Sequence, residues 1–483
     1  MGFTRADTKH SEGPGGLVFA AGSAERSALL ESTLVRVHAP LDFDDPWDLL
    51  ETALARGEEV FAWRDGRTGL CALGLGVSES VAPRGAGRFL EAQRTCSRWC
   101  EECAEVVLGL EDTRVEGLPL AFGGFSFSGR VGRGEVRWEG WADGRLVIPE
   151  TIVWQKGRDR GLVFTQRKRR GERVDNVCEM ALERQEGLRR ELRRAGDRQS
   201  DPAQAGLDSR HGDGEAWRGL VAMATEAISA GQMQKVVLAR GVELTPPAGQ
   251  VFDTTATLRK LRAEHPGAFV FCTGDKARGC FLGATPELLV RLEGRQVRTD
   301  VLAGTAPRGE SPERDQDLGM SLLDSAKDRH EHALTVNAIE AALEPLCKPL
   351  NVGDTDLRKL KEVQHLSTPI EGVLNAPTNV LALVEALHPT PAVGGLPRER
   401  ALDWIDGSEA LERGWYAGPV GWVGTRGQGS FAVAIRSALV KPAGAYAFVG
   451  AGIVSASDPT LEWRETGLKL ETISGALVTR EDR

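Results

Sequence analysis

Three charged residues near the C-terminus, Glu462, Glu465 and Lys469, fall within ~60° of one another on a helix that advances ~100° per residue. Leu461 and Leu468 flank this stripe on one side, Trp463 and Leu470 on the other, and Ile473 lies on it one turn further on. Surface helices commonly carry such pairs in water. Turned inward, the same stripe offers two carboxylates to a divalent cation and a lysine to an anion. Other polar residues are awkward as pure structure. Lys235 opens the apolar strand pattern 235–240. Arg436 interrupts the run 431–435, and a strand centre is a costly place for an unpaired cation. Glu287 follows Thr285-Pro286 inside a strand pattern, and Glu331 shares a helix face with Asp328 three positions earlier. Singly, each reads as a paired structural charge. Together they suit a hard cation with oxygen ligands, a doubly anionic substrate and an acid/base pair.

The elements that must position these groups are legible in outline. Tyr446 to Val449 reads as a buried strand, Gly450 and Gly452 as a glycine turn, and Asp458-Pro459 as the cap and first position of the charged helix. Residues 215–231 form a helix ending at a glycine, and 269–273, 279–294 and 296–305 alternate as paired strands. A long helix over 322–346 carries Lys327-Asp-Arg-His-Glu-His332, and strands are expected at 414–422 and 429–440. Earlier in the chain, 28–38 reads as a strand and 60–74 as a hairpin turning at Asp65-Gly66. An amphipathic helix spans 177–194 and a polar linker 195–215. This predicts a loose arm over 1–25, an N-terminal part over 26–200 and a catalytic domain over 215–480.

The 483 residues suffice for a large core, and a net charge of −9 gives no reason to expect a nucleic-acid partner. No apolar run is long enough to span a membrane and no secretory signal opens the chain, so a cytoplasmic protein with mostly reduced cysteines is expected. Cys96, Cys100 and Cys103 have the spacing of an iron–sulfur loop. The surrounding sequence is continuously helical, however, and i, i+4, i+7 spacing places all three as small buried side chains on one helix face. His330-Glu-His332 is not a zinc-protease motif, and neither a phosphate-binding loop nor a nucleophile elbow is present. Gly450-Ala-Gly452 lacks a third glycine, which favours a backbone-amide carboxylate site over a dinucleotide site.

Eight stretches, in order, carry a family resemblance: Phe281-Leu-Gly-Ala-Thr-Pro-Glu-Leu-Leu289, Leu302-Ala-Gly-Thr-Ala-Pro-Arg-Gly309, Lys327 to His332, Gln364-His-Leu-Ser-Thr368, His388-Pro-Thr-Pro-Ala-Val-Gly-Gly-Leu-Pro397, Tyr416-Ala-Gly-Pro-Val-Gly421, Ala434-Ile-Arg-Ser-Ala438 and Gly450 to Thr466. The second half thus resembles the chorismate-utilising enzymes, which include anthranilate, aminodeoxychorismate, isochorismate and salicylate synthases. The first half matches mainly at Phe122-Gly-Gly-Phe-Ser-Phe127. The resemblance implies an α/β fold of large antiparallel sheets packed face to face with helices outside. It implies Mg²⁺ held by Glu331 and Glu465, with Asp328 and Glu462 holding metal-bound waters. The ring carboxylate of chorismate would sit on the metal. Arg436, Tyr416 and the Gly452 amide would clamp the pyruvyl side, with Lys469 as a further carboxylate partner. Gly304, Thr305 and His388 would line the ring pocket.

Lys235 resembles the base of the isochorismate branch, which activates water at C2, and Glu287 the acid that protonates the leaving C4 hydroxyl. Such a lysine must shed its proton near neutrality and such a carboxyl must keep one; burial favours both. Pro391-Ala-Val-Gly394 resembles the isochorismate and salicylate branch, and no glutamine amidotransferase segment is present. Leu29-Leu-Glu-Ser32 matches a feedback motif of anthranilate synthases, which the active-site motifs contradict. The expectation is an isochorismate synthase feeding menaquinone synthesis. Salicylate synthase and siderophore supply are the alternatives within the family. A non-catalytic ligand-binding subunit is the alternative outside it, and loss of Lys235, Glu287 or a metal glutamate would mark it; none is lost.

Overall fold

A computed structural model describes residues 4–7, 18–19, 32–110, 115–130, 136–169, 171–196, 208–211 and 213–482. Two large sheets dominate. The first has 15 strands, and along it run, as neighbours, Lys235–Thr245, Gly444–Ile453, Ser437–Lys441, Gly279–Thr285, Phe269–Asp275, Val60–Asp65 and Leu70–Leu75. The second has 10 strands and places Val363–Leu374, Gln296–Pro307, Leu288–Glu293, Gly429–Val433, Pro419–Gly424 and Pro119–Phe125 side by side. Nearly all pairings are antiparallel. Among the described residues the exceptions are Cys103–Leu108, which runs parallel to Leu34–Pro40, and Thr4–Asp7, which runs parallel to Cys103–Leu108. The sheets do not respect the halves of the chain: Val60–Asp65 pairs with Phe269–Asp275, and Pro119–Phe125 with Pro419–Gly424.

Period-two alternation explains how the first sheet is buried on both faces. Phe61, Trp63, Ala72, Phe269, Phe271 and Phe281 enter the core shared with the second sheet. Their neighbours Val60, Ala62, Cys71, Leu73, Val270, Cys272 and Leu282 pack instead with residues of the outer helices, such as Val177, Leu258 and Ile473. Phe61 stacks on Phe122 of the facing sheet with ring centroids 4.8 Å apart, so the two layers meet through aromatic pairs. Glycines allow the closest approaches: a Cβ on Gly123 would lie 1.9 Å from the Arg145 carbonyl oxygen.

Several local expectations are corrected. The helix 322–346 is two helices, Pro312–Asp324 and Ala326–Leu343, because Ser325 leaves the helical conformation and its hydroxyl caps the second at the Asp328 amide, 3.2 Å away. The cysteine helix stops at Glu102, and Cys103 begins a strand, so only Cys96 and Cys100 share the helix. Gly450 and Gly452 lie within the strand Gly444–Ile453 rather than in a turn. Part of the expected linker, Asp208–His211, pairs with the strand Lys235–Thr245, and Thr4–Asp7 and Val18–Phe19 of the expected arm are strands. The rest of the arm and Leu29 to Glu31 lie outside the described residues.

The most consequential correction concerns 279–294 and 429–440, each expected as one strand. Each is two strands in different sheets. Gly279–Thr285 belongs to the first sheet and Leu288–Glu293 to the second, with Pro286 and Glu287 at the crossing. Gly429–Val433 belongs to the second sheet and Ser437–Lys441 to the first, with Ala434 to Arg436 at the crossing. The two crossings lie side by side. The Val433 amide donates to the Glu287 carbonyl at 3.1 Å, and the Ala284 amide to the Arg436 carbonyl at 3.2 Å. The acid and the arginine are therefore placed by the seam between the sheets.

Candidate active site

At this seam is a partly open cavity of about 70 Å³. It is lined by Lys235, Glu287, Gly304, Thr305, Glu331, Tyr416, Arg436, Gly452, Glu465 and Lys469, ten of the residues singled out in the sequence. A larger open groove, about 780 Å³, lies between the helix Arg88–Glu102 and Pro377 to Asn379. Buried carboxyl groups, lysines and an arginine converge in the smaller cavity, which makes it the candidate site.

Lys235 begins the strand Lys235–Thr245, and on the neighbouring strand Gly452 faces Val237 and Gly450 faces Ala239. The missing side chains of the two glycines form a floor. A Cβ on Gly452 would lie 2.3 Å from Glu331 Oε1 and 3.2 Å from Lys235 Cε; one on Gly450 would lie 3.0 Å from the Tyr416 hydroxyl. Lys235 is 1 % exposed, and its Nζ is 2.9 Å from Glu331 Oε1 and 3.3 Å from the Thr335 hydroxyl. Burial acts to raise the Glu331 carboxyl, but the charge and hydrogen bond of Lys235, with Lys469 and Lys327, override it and hold the group below its ordinary range.

The closing helix Pro459–Ser474 is capped as its sequence requires: the Asp458 carboxylate accepts from the amides of Thr460 and Leu461 at 2.8 and 2.9 Å. Its stripe faces inward. Lys469 pairs with Glu465 and reaches the Gly450 carbonyl at 3.3 Å. Glu462 is buried and pairs with Lys327 at 2.9 Å, outside the cavity walls. Its carboxyl is raised, first by burial and then by Glu465. Asp328 also stands behind the wall, bonded to the Ser325 hydroxyl, 3.1 Å from where a Cβ on Gly304 would be. Burial raises its carboxyl too. Gly304 has φ +73, a conformation glycine adopts without strain.

Glu287 faces this cavity, and among the described residues no side chain donates a hydrogen bond to its carboxyl. Burial pushes it up to about 7, although Lys235, Arg436 and Lys469 all pull it down. Half or more of it thus keeps its proton at neutral pH and below. Arg436 sits at its crossing with φ +51. Its Nη2 is 3.3 Å from His365 Nε2, while His365 Nδ1 is 2.9 Å from the Gly304 carbonyl. A carbonyl can only accept, so Nδ1 carries the proton and Nε2 accepts from the guanidinium. Burial, then Arg436 and Lys469, push this imidazole down to about 3, which keeps it neutral. Tyr416 stacks on Phe448 at 5.2 Å between centroids, and burial pushes its hydroxyl up to about 12.

Two site assignments change. His388, expected in the ring pocket, is not a cavity wall: its Nε2 is 3.0 Å from the Phe127 carbonyl, and its ring packs against Phe89 and Phe127. It follows the helix Val380–Leu387 directly, and that helix turns it into the core. His365, itself buried, lines the cavity instead. It lies in the quoted stretch Gln364-His-Leu-Ser-Thr368, but position in a strand pattern gave no sign that it holds Arg436.

Over residues 21–478 the chain matches the family model described as chorismate binding enzyme. It belongs to that family. A salicylate biosynthesis isochorismate synthase of Pseudomonas aeruginosa is 38% identical over 446 residues, 91% of this chain and 87% of the relative. The isochorismate synthase MenF of Bacillus subtilis is 33% identical over 427 residues, 86% of this chain and 87% of the relative. Among solved structures, MenF of Escherichia coli, described as a menaquinone-specific isochorismate synthase, superposes with a TM-score of 0.70 at 25% identity, covering 93% of this chain and 99% of that one. The fold is therefore the mixed α/β arrangement of this family, with two large, mostly antiparallel sheets. The chain is an enzyme of the isochorismate synthase family. No helix among the described residues is long and apolar enough to cross a membrane.

Proposed function

We propose that the protein is an isochorismate synthase in the strict sense: it adds water at C2 of chorismate and expels the C4 hydroxyl. The observation that carries this is the convergence of Lys235 and Glu287 on one cavity, with Glu287 raised to about 7 by burial. Lys235 Nζ, which must enter this step as the neutral amine, takes a proton from the attacking water. The new C2–O bond forms, the ring double bonds shift, and the C4–O bond breaks. The Glu287 carboxyl gives its proton to the leaving hydroxyl, so one water enters and one departs. Lys235 must exchange its contact with Glu331 for one with that water. Arg436, held by neutral His365, and Lys469 would balance the two carboxylates of the substrate.

Mg²⁺ fits the donors present. Glu331 and Glu465 both reach the cavity, and the bare Gly452 leaves room beside Glu331. Among the described residues no three or more carboxylate, imidazole or thiolate groups converge to enclose an ion. Mg²⁺ does not require that, since it binds through one or two carboxylates and keeps waters and substrate oxygens as its other ligands. Glu331 and Glu465 would hold it, with Asp328 and Glu462 behind them, and it would supply positive charge to the ring carboxylate.

For metabolic place, the proposal is supply of menaquinone synthesis, supported by the description of the E. coli relative as menaquinone-specific. The P. aeruginosa relative favours a second reading, supply of salicylate. Turnover in ¹⁸O-labelled water tests the reaction: the label should appear in the C2 hydroxyl of the product. Unlabelled product would overturn water attack.

A further inference from the structure

The hairpin turn after Val60–Asp65 belongs to the first half of the chain, yet it grips the segment that carries Glu287 on both sides. Arg67 Nη2 donates to the Pro286 carbonyl at 2.9 Å, the carbonyl of the peptide that enters Glu287. Asp65 pairs with Arg291, which lies just beyond Glu287 on Leu288–Glu293. The turn itself is fixed. Asp65 Oδ1 accepts from the Arg67 amide at 2.8 Å, and the Gly66 amide donates to the Ala268 carbonyl at 3.1 Å. A Cβ on Gly66 would lie 2.0 Å from the Pro266 carbonyl oxygen, so only glycine lets the turn seat this closely. The Arg67 guanidinium lies 4.9 Å from the Phe269 ring centroid and pairs with Asp300, which also receives Arg358 at 3.3 Å. Asp300 is on Gln296–Pro307, the strand that carries Gly304 and Thr305.

We propose that Arg67 is a positioning residue for the reaction: by holding the Pro286 carbonyl it sets the backbone from which the Glu287 carboxyl reaches the substrate. The crossing between sheets is where such a hold matters, because Pro286 has no amide to donate and the sheet ladders stop on either side. Glu287 is otherwise tied by its backbone alone, through its amide to the Thr285 hydroxyl at 3.3 Å and its carbonyl to the Val433 amide at 3.1 Å. Arg67 closes the third side. Its second contact, to Asp300, ties the segment of Glu287 to the strand whose Gly304 and Thr305 line the cavity. The inference rests on the proposed role of Glu287 as the acid.

The test is steady-state kinetics on the full chain with chorismate and Mg²⁺, for Arg67→Ala, Arg67→Lys and Glu287→Ala. A carboxyl displaced by a fraction of an ångström should lower kcat in Arg67→Ala by about 10- to 100-fold while KM moves less than about 3-fold. Arg67→Lys, which keeps a cationic donor, should recover most of that loss. Wild-type kcat in Arg67→Ala would overturn the inference, as would a loss that Arg67→Lys does not recover. Should Arg67→Ala fail to fold, Arg67→Gln takes its place, with the same kcat loss expected and wild-type kcat again overturning the inference. If Glu287→Ala is fully active, the acid assignment itself falls. If Glu287→Ala is inactive and Arg67→Ala is not impaired, only the role of Arg67 falls.

Discussion

Replacing Glu287 with glutamine should abolish turnover and, at alkaline pH, make the protein more stable. The carboxyl is raised from 4.5 to about 7, chiefly by burial. The native state then holds this proton more tightly than the unfolded chain does. Stability is unaffected below the unfolded value, falls as pH rises between the two values, and levels off above about 7. At 1.36 kcal/mol per pH unit, the full cost is about 3 kcal/mol. Glutamine has nearly the same shape and no charge to bury, so the variant escapes this cost. The assay is urea unfolding of both proteins without metal, at about pH 5 and about pH 8. The glutamine variant should gain about 2.5 kcal/mol over wild type between the two conditions, since a part of the cost is already present at pH 5. Identical pH dependence in the two proteins would refute the reasoning, because it would mean that burial does not strain this carboxyl. Turnover by the glutamine variant would refute its role as acid. In the wild type the alkaline limb of the pH–rate profile has the same origin: kcat should decline as pH rises through the native value and Glu287 loses the proton it must give.

Lys235→Ala should abolish turnover while chorismate binding remains measurable by calorimetry. It also leaves Glu331 buried without its partner, at a cost of about 3–5 kcal/mol, so the fold is checked by circular dichroism. Gly452→Ala sets a methyl group 2.3 Å from Glu331 Oε1, and should weaken Mg²⁺ binding, read by calorimetric titration, by at least about tenfold. His388→Asn should leave KM for chorismate unchanged and lower the unfolding midpoint, because the ring bonds Phe127 rather than facing the cavity. A rise in KM would restore His388 to the pocket.

The charges were legible in the sequence and their geometry was not. Glu287 and Arg436 stood out because an apolar strand pattern has no place for them. That pattern could not say why they were there, since period-two alternation looks the same whether a strand continues or changes sheets. Pro286 was the one local sign of a crossing, and Ala434 to Arg436 had none. Gly450 and Gly452 read as a turn because glycine is common in turns. Here they are strand residues whose bareness makes room for Glu331 at Gly452 and for the Tyr416 hydroxyl at Gly450. The closing helix was legible down to its cap because Asp458, Pro459 and the stripe are all local. Arg67 was invisible for the opposite reason: its partner Pro286 is 219 residues away, and no local pattern marks a contact made between halves of the chain.

The proposed reaction is that this cavity directs water to C2 of chorismate and stops there. Its most direct test is the purified protein incubated with chorismate and Mg²⁺, with products separated by chromatography. Isochorismate as the main product is the predicted result. Salicylate with pyruvate, or anthranilate formed when ammonia is supplied, would contradict it.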